Sequence, residues 1–331
     1  MEPIVTIGIT SYKRVQELKR CIKSVSTKYI DDIEILVSED KSPLSNEIRD
    51  MVNELAKESI YNIRFTTNDE NLGYDGNLGA IIEKAKGKYI FFMSDDDTLY
   101  ENCLDFIIPV LKEDRTSGVL YAPFVYNRTG KLDRNHGSCF EIEASEKNAS
   151  KYIIDSILFS GLIFRKEYVK NYDAKRFKNY NYFQVYLFLQ MLLHYGGYYF
   201  SKPSVICVGD GENAYGLSES SGGNEILANR KSVISNLEFN KTLIELIRLF
   251  DEEEKTRVID SFAKQYSLHS YSGLSIARAQ GIKYYNTYWN TLKGMNIKIY
   301  PIVYCYYAIL LIFGKKVSDF LLSGLKKLYK K

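Results

Sequence analysis

Along the first hundred residues, short β-branched runs alternate with stretches whose apolar positions recur every three or four residues. Residues 4–9 form one such run, the pattern of a strand covered on both faces. A polar turn, Ser11-Tyr12-Lys13-Arg14, separates it from Leu18, Cys21, Ile22 and Val25, whose spacing predicts a helix. The pattern then repeats. Residues 33–37 predict a second strand, and Ile48, Met51, Val52 and Leu55 a second helix. Residues 63–66, 80–85 and 89–93 predict a third strand, a third helix and a fourth strand. This βαβαβ order predicts a mostly parallel, Rossmann-like α/β sheet flanked by helices. Such sheets take ligands beyond the carboxyl ends of their strands. The polar clusters at 11–14, 38–42, 68–77 and 94–97 all fall there.

The second half is more mixed. Residues 119–125, 158–164 and 198–208 read as strands, the last interrupted by Pro203, and 182–194 as a helix. The Gly-, Ser- and Asn-rich stretch 209–224 reads as a mobile loop. Helical spacing then dominates in 233–250, 252–271 and 276–292. These patterns divide the chain into an α/β domain, 1–215, and a helical domain, 216–331. Residues 300–313 are strongly apolar, but that core of about a dozen residues falls short of the roughly 20 needed to span a bilayer. Lys315, Lys316, Lys326, Lys327, Lys330 and Lys331 follow it, against Asp319.

Composition narrows the classes. A net charge of +3 over 331 residues argues against a nucleic-acid or acidic partner, so any basic feature is local. Five scattered cysteines without a CxxC pair, and three well-separated histidines, exclude a zinc site or disulfide framework and suit a reducing cytoplasm. The first residues show no basic stretch followed by an apolar one, so no secretory leader is expected. No GxGxxG follows the first strand, which disfavours a dinucleotide-binding oxidoreductase.

The strongest chemical signal is Ser94-Asp95-Asp96-Asp97 at the end of the apolar run 89–93. Three successive carboxylates repel one another unless something positive sits among them. Their hard oxygens suit Mg²⁺ or Mn²⁺, which in turn bind phosphate oxygens. The plain alternative is a solvated acidic turn, or the N-cap of a helix over 98–107.

With these residues the chain resembles the inverting family 2 glycosyltransferases of GT-A fold. The likeness rests on four motifs in order: the strand and turn Val5 to Arg14, Val37-Ser38-Glu39-Asp40-Lys41-Ser42, Asn71-Leu72-Gly73-Tyr74-Asp75-Gly76-Asn77, and the DxD-type segment from Gly87 to Asp97. It covers roughly residues 3–208. It implies a donor site in which Thr10 and Tyr12 line the base pocket, Asp40 accepts a hydrogen bond from the base and Asp95 touches the ribose. Arg14, Asn71, Gly73 and Asn77 complete that site. Asp96, assisted by Asp97, would ligate the Mn²⁺ or Mg²⁺ that bridges the donor diphosphate. The resemblance further implies transfer of a sugar from a nucleoside diphosphate to a growing surface glycan of capsule, O-antigen or teichoic type. Each motif has a plain reading too: Tyr12 as packing, Asp40 as a turn cap, Asn71 and Gly73 as a structural turn.

One feature departs from the family. Its members carry a carboxylate base before a helix of the second half, and the matching Asn181-Tyr182-Phe183-Gln184-Val185-Tyr186 has neither carboxylate nor His. An inverting transfer needs a group to take the acceptor proton. Asp173, Asp210, Glu212 and His136 are the candidates, Asp210-Gly211-Glu212 because a Gly-rich lid could close over the donor. Ser160 and Gly161 resemble the acceptor-side strand. The apolar, Lys-ended tail suits peripheral contact with the inner face of the cell membrane and a lipid-linked acceptor; its alternative is an oligomer-forming helix. The rival functions are a nucleotidyltransferase, disfavoured because residues 10–14 lack a Gly-rich phosphate loop, and a non-catalytic nucleotide- or glycan-binding protein.

Overall fold

The computed structural model describes residues 2–114, 117–210 and 233–328. The chain forms two compact units, Met1–Gly222 and Gly223–Lys331. The expected boundary at 215/216 lies outside the described residues.

The first unit is built on two sheets. Its strands are β1 (Val5–Ser11), β2 (Ile33–Glu39), β3 (Asn62–Thr67), β4 (Tyr89–Ser94), β5 (Thr98–Leu99), β6 (Val119–Tyr121), β7 (Phe124–Tyr126), β8 (Leu132–Asp133), β9 (Phe140–Ile142), β10 (Leu162–Arg165), β11 (Gly197–Tyr199) and β12 (Val205–Cys207). The large sheet runs β3-β2-β1-β4-β10-β6-β11-β9, and a small one runs β5-β12-β7-β8. β1 to β4 are parallel, as the alternating pattern predicts. From β10 the sheet turns mixed, because β10 pairs antiparallel with both β4 and β6.

Local sequence explains the parallel half. Every residue of β1 and β2 is buried, which fits their β-branched content. Helix α1 (Val15–Lys23) buries Leu18, Cys21 and Ile22, and α2 (Ser45–Glu58) buries Ile48, Met51, Val52 and Leu55. Those are the i, i+3, i+4 faces read from the sequence. Buried Glu34 is tolerated in β2 because Thr6 Oγ1 (2.6 Å), the Lys86 amide (2.6 Å) and Arg64 (2.8 Å) all donate to it.

Two expected strands are split and a third starts late. Residues 119–125 divide into β6 and β7, which join different sheets around Ala122-Pro123. Residues 198–208 divide into β11 and β12 around Pro203 in the same way. In 158–164 the strand starts at Leu162, after the 3₁₀ turn Ile153–Ser156.

The second unit consists, among the described residues, of the helices Val233–Glu254, Val258–His269, Tyr271–Ala279, Ile282–Lys293 and Pro301–Leu328. The expected helix over 276–292 breaks at Gly281, whose φ of 112° a helix cannot hold. Its core is aromatic: Tyr285 and Trp289 stack on Tyr307 at 5.0 and 4.3 Å. The apolar tail extends further than its sequence pattern suggested. By length and composition Pro301–Leu321 is sufficient to cross a membrane, but the backbone kinks at Gly314 (φ 69°).

Candidate active site

β1, β2 and β4 share one register, so Thr10 lies between Ser38 and Ser94 at their carboxyl ends. The polar clusters predicted to converge do so at this edge. The chain leaving β1 turns through Lys13 in the left-handed region (φ 65°), which sends Arg14 back toward the acidic cluster. Arg14 Nη1 lies 2.7 Å from Asp95 Oδ1 and 3.2 Å from Asp96 Oδ2. The Tyr12 amide donates to Asp95 Oδ2 at 3.3 Å. Two carboxylates therefore converge on a single cationic nitrogen beside Tyr12. Burial pushes the Asp95 carboxyl up to about 7, Arg14 opposing and the neighbouring Asp96 charge adding to the shift.

Asp97 faces elsewhere. Its carboxylate accepts from Ser160 Oγ at 2.6 Å and from the Val208 amide at 3.1 Å, tying the start of β10 to the end of β12. Burial pushes it up to about 6, with the Asp96 charge adding. Asp95 and Asp96 are thus the pair that meets Arg14, while Asp97 turns to Ser160 and Val208. The physical reason is the β-turn geometry, which sends successive side chains to different sides. Among the described residues, no group of three His, Cys, Asp or Glu side chains is placed to hold a metal. Two convergent carboxylates still fit a Mg²⁺- or Mn²⁺-type ion whose remaining ligands are phosphate and water.

The second motif has become a framework. Asp40 is 4% exposed and accepts from Asn68 Nδ2 (2.9 Å) and from the amides of Leu72 (2.8 Å) and Gly73 (2.9 Å). Its carboxyl is raised by burial against these three donors. Asn71 Oδ1 also accepts from the Gly73 amide (3.0 Å), and Gly73 takes φ 71°. Asn77 is buried, accepts from Ser38 Oγ at 2.7 Å and donates to the Ser38 carbonyl at 3.0 Å. Asn71, Gly73 and Asn77 therefore fix the loop at the head of the helix α3 (Gly73–Lys84) and hold Asp40 in place.

The base candidates separate clearly. Asp210 Oδ1 and Oδ2 are both taken by Arg20, at 2.7 and 2.8 Å, and this hydrogen bonding holds its carboxyl below the usual range. Asp173 caps the turn Ala174–Phe177 by accepting from the Lys175 amide, and lines a groove of about 850 Å³ with Asn71, Glu83 and Lys175. Glu212 lies outside the described residues. Gln184, in the stretch matching the family's base, is buried, and its amide bonds Tyr74 OH and the carbonyls of Ser156 and Ile157.

Sequence reasoning missed three residues here. Arg20 Nη2 also donates to the Asp96 carbonyl at 3.0 Å, bringing a second cation to the acidic tip. Arg134 is buried and donates to the carbonyls of Ser160 and Leu158. Asp75 accepts the amides of Asn181 and Phe183 at the start of the helix Phe183–His194.

A parallel β1–β4 sheet that ends in an acidic tip beside an aromatic turn, continued by an antiparallel strand, is the GT-A class of nucleotide-sugar fold. The chain matches the model of glycosyl transferase family 2 over residues 6–173, just over half of its length, and belongs to that family. It is 26% identical over 180 residues to the GalNAc(5)-diNAcBac-PP-undecaprenol beta-1,3-glucosyltransferase of Campylobacter jejuni, a match covering 53% of this chain and 55% of that one. The chain thus spans about half the length of this curated relative. Among solved structures, S. aureus TarS 1–349 in complex with UDP superposes with a TM-score of 0.53 at 15% identity, covering 89% of this chain and 90% of that one. The mannosyltransferase PcManGT of Pyrobaculum calidifontis, in complex with GDP-Man and Mn²⁺, gives a TM-score of 0.53 at 14% identity, over 96% and 89% of the two chains. Both likenesses concern the fold.

Proposed function

We propose that this chain transfers a sugar, with inversion, from a nucleoside diphosphate donor to a hydroxyl of a growing, lipid-linked surface glycan. The observation that carries the reading is the convergence of Asp95 and Asp96 on one cationic position beside Tyr12. Thr10 and Tyr12, at the end of β1 beside the acidic tip, would border the base, and the Asp40 framework would hold the neighbouring Asn71–Gly73 turn. Arg14 and Arg20 bring positive charge to the tip, where the donor diphosphate would lie. Asp95 and Asp96 would hold Mn²⁺ or Mg²⁺; the chemistry gained when it is bound is neutralisation of charge on the departing diphosphate. A relative named for a polyprenyl-diphosphate-linked substrate supports a lipid-linked acceptor.

The tail supports contact with the inner face of a membrane. In Pro301–Leu328, Ile312 (71% exposed), Phe313, Val317 and Phe320 (77% exposed) face outward. The sequence there carries Lys315, Lys316, Lys326 and Lys327. An exposed apolar face beside lysines matches an anionic lipid surface. The Gly314 kink leaves 13 residues, about 20 Å, of straight helix before it, which favours lying in the interface over crossing the bilayer.

The donor reading is tested by thermal unfolding with UDP-, GDP-, CDP- and dTDP-sugars, with and without Mn²⁺. A true donor raises the melting temperature with its concentration, more so with Mn²⁺ present. If no nucleotide sugar shifts the melt in either condition, the donor site is wrongly assigned.

A further inference from the structure

Resting on the transfer reading above, we infer that His136, oriented by Asp155, is the general base that takes the acceptor's proton.

The sheet places this pair at the right edge. β10 runs antiparallel to β4, so its start meets the end of β4, and the Gly161 amide bonds the Phe92 carbonyl. β6 ends where β10 begins, and β11 runs parallel to β6, so Tyr121 and Tyr199 share that edge. Phe140, four residues after His136, pairs with Tyr199. The acidic tip of β4 and the His136 loop therefore sit on one sheet edge. Three strand spacings, about 14 Å, separate β4 from β11, whose Tyr199 holds the His136 loop. That leaves room for a donor sugar and an acceptor hydroxyl between the acidic tip and the base.

Local geometry holds His136 still. Arg134 takes φ 52° and Gly137 φ 86°, which folds the loop tightly. The His136 amide donates to Tyr199 OH at 3.0 Å, and Tyr199 OH donates to the Arg134 carbonyl at 2.8 Å. The imidazole ring meets Tyr199 and Tyr152 edge-on, at 4.9 and 5.3 Å. His136 Nε2 lies 2.7 Å from Asp155 Oδ2, which also accepts from Tyr121 OH at 3.2 Å. A carboxylate only accepts, so the nitrogen facing it carries the hydrogen and Nδ1 keeps its lone pair. The His136 side chain is 31% exposed while Asp155 is 13% exposed, so the base is open and its partner is covered.

The same chain explains the missing carboxylate. Gln184, in the stretch matching the family's base, reaches the carbonyls of Ser156 and Ile157, immediately after Asp155. It braces the segment that presents Asp155 instead of acting on the acceptor. Arg134 links the loop to the acidic tip through the Ser160 carbonyl, since Ser160 Oγ donates to Asp97.

In the step, the acceptor oxygen forms a bond to the donor's anomeric carbon and its proton passes to His136 Nδ1. The bond from that carbon to the diphosphate oxygen breaks, and the electron pair leaves with the diphosphate. Asp155 stabilises the imidazolium.

Water serves as the acceptor in the test, with UDP-glucose, UDP-GlcNAc and GDP-mannose as probes in the presence of Mn²⁺. The full chain is assayed for slow release of nucleoside diphosphate, and donor binding is read separately by thermal shift. His136→Gln should keep the donor-induced shift and lose release by about 100-fold or more. Imidazole should restore release to His136→Gly. Asp155→Asn should bind donor normally and fall between wild type and His136→Gln. Wild-type release by His136→Gln, no rescue of a donor-binding His136→Gly, or a wild-type chain that binds donor and releases nothing, each overturns the assignment. A wild-type chain bound by no donor overturns the transfer reading itself.

Discussion

At the residue scale, carboxylates at the strand tips divide by what donates to them. Asp95 and Asp96 face a cation, Asp40 faces three N–H donors, and Asp97 faces a hydroxyl and an amide. The sequence shows four acids near one edge but not which lone pairs are already taken. Asp75 is the sharpest example, standing inside a motif read for its Asn and Gly. Burial pushes its carboxyl up to about 7, against the Asn181 and Phe183 amides that favour its charge. A folded value above the unfolded one means the folded chain keeps a proton that the unfolded chain releases. That contribution to stability is full below about pH 4 and is lost as pH rises through about 7. The metal-free protein should therefore melt lower at about pH 8 than at about pH 5, and Asp75→Asn should flatten this slope. Calorimetry in chelator at the two pH values checks it; an unchanged slope in the variant removes Asp75 as its source.

At the element scale, the pattern found the strands and helices of the parallel half, because the covered strands are continuous apolar runs and the helices bury one regular face, although the third helix begins at Gly73 rather than near residue 80. It failed where a strand changes sheets. Residues 119–125 read as one apolar run and 198–208 as a strand interrupted at Pro203, yet each is divided between two sheets. Both segments are apolar on either side of the proline, so pattern alone cannot show that the halves part to different sheets. Close approach between elements is equally hidden. A Cβ on Gly87 would lie 2.4 Å from the Thr6 nitrogen and 2.7 Å from the Val5 carbonyl carbon, where backbone leaves no escape. Gly87→Ala should cost about 1–3 kcal/mol by pushing the entry of β4 away from β1. Urea unfolding measures this; a variant as stable as wild type would show that the two strands can part freely.

At the scale of the whole molecule, the proposed function assigns different tasks to the two units, donor chemistry to the first and membrane contact to the exposed apolar face of the second. Sedimentation with phosphatidylglycerol vesicles should pull down the full chain at low salt and much less as salt rises. Ile312→Ser with Phe320→Ser should weaken that binding while leaving the donor-induced thermal shift unchanged. Equal recovery on pure phosphatidylcholine would point to apolar contact without charge recognition. The sequence by itself determined the α/β order, the family and the edge at which the polar clusters gather, because burial period and strand-end polarity are local properties. Only the tertiary structure decided that Asp95 and Asp96 meet Arg14 while Asp97 meets Ser160, that Asp210 belongs to Arg20, and that His136 meets Asp155. Those partners are 19 to 190 residues apart or depend on which way a turn sends adjacent side chains. No periodicity along the chain encodes a contact between loops that the sheet brings together.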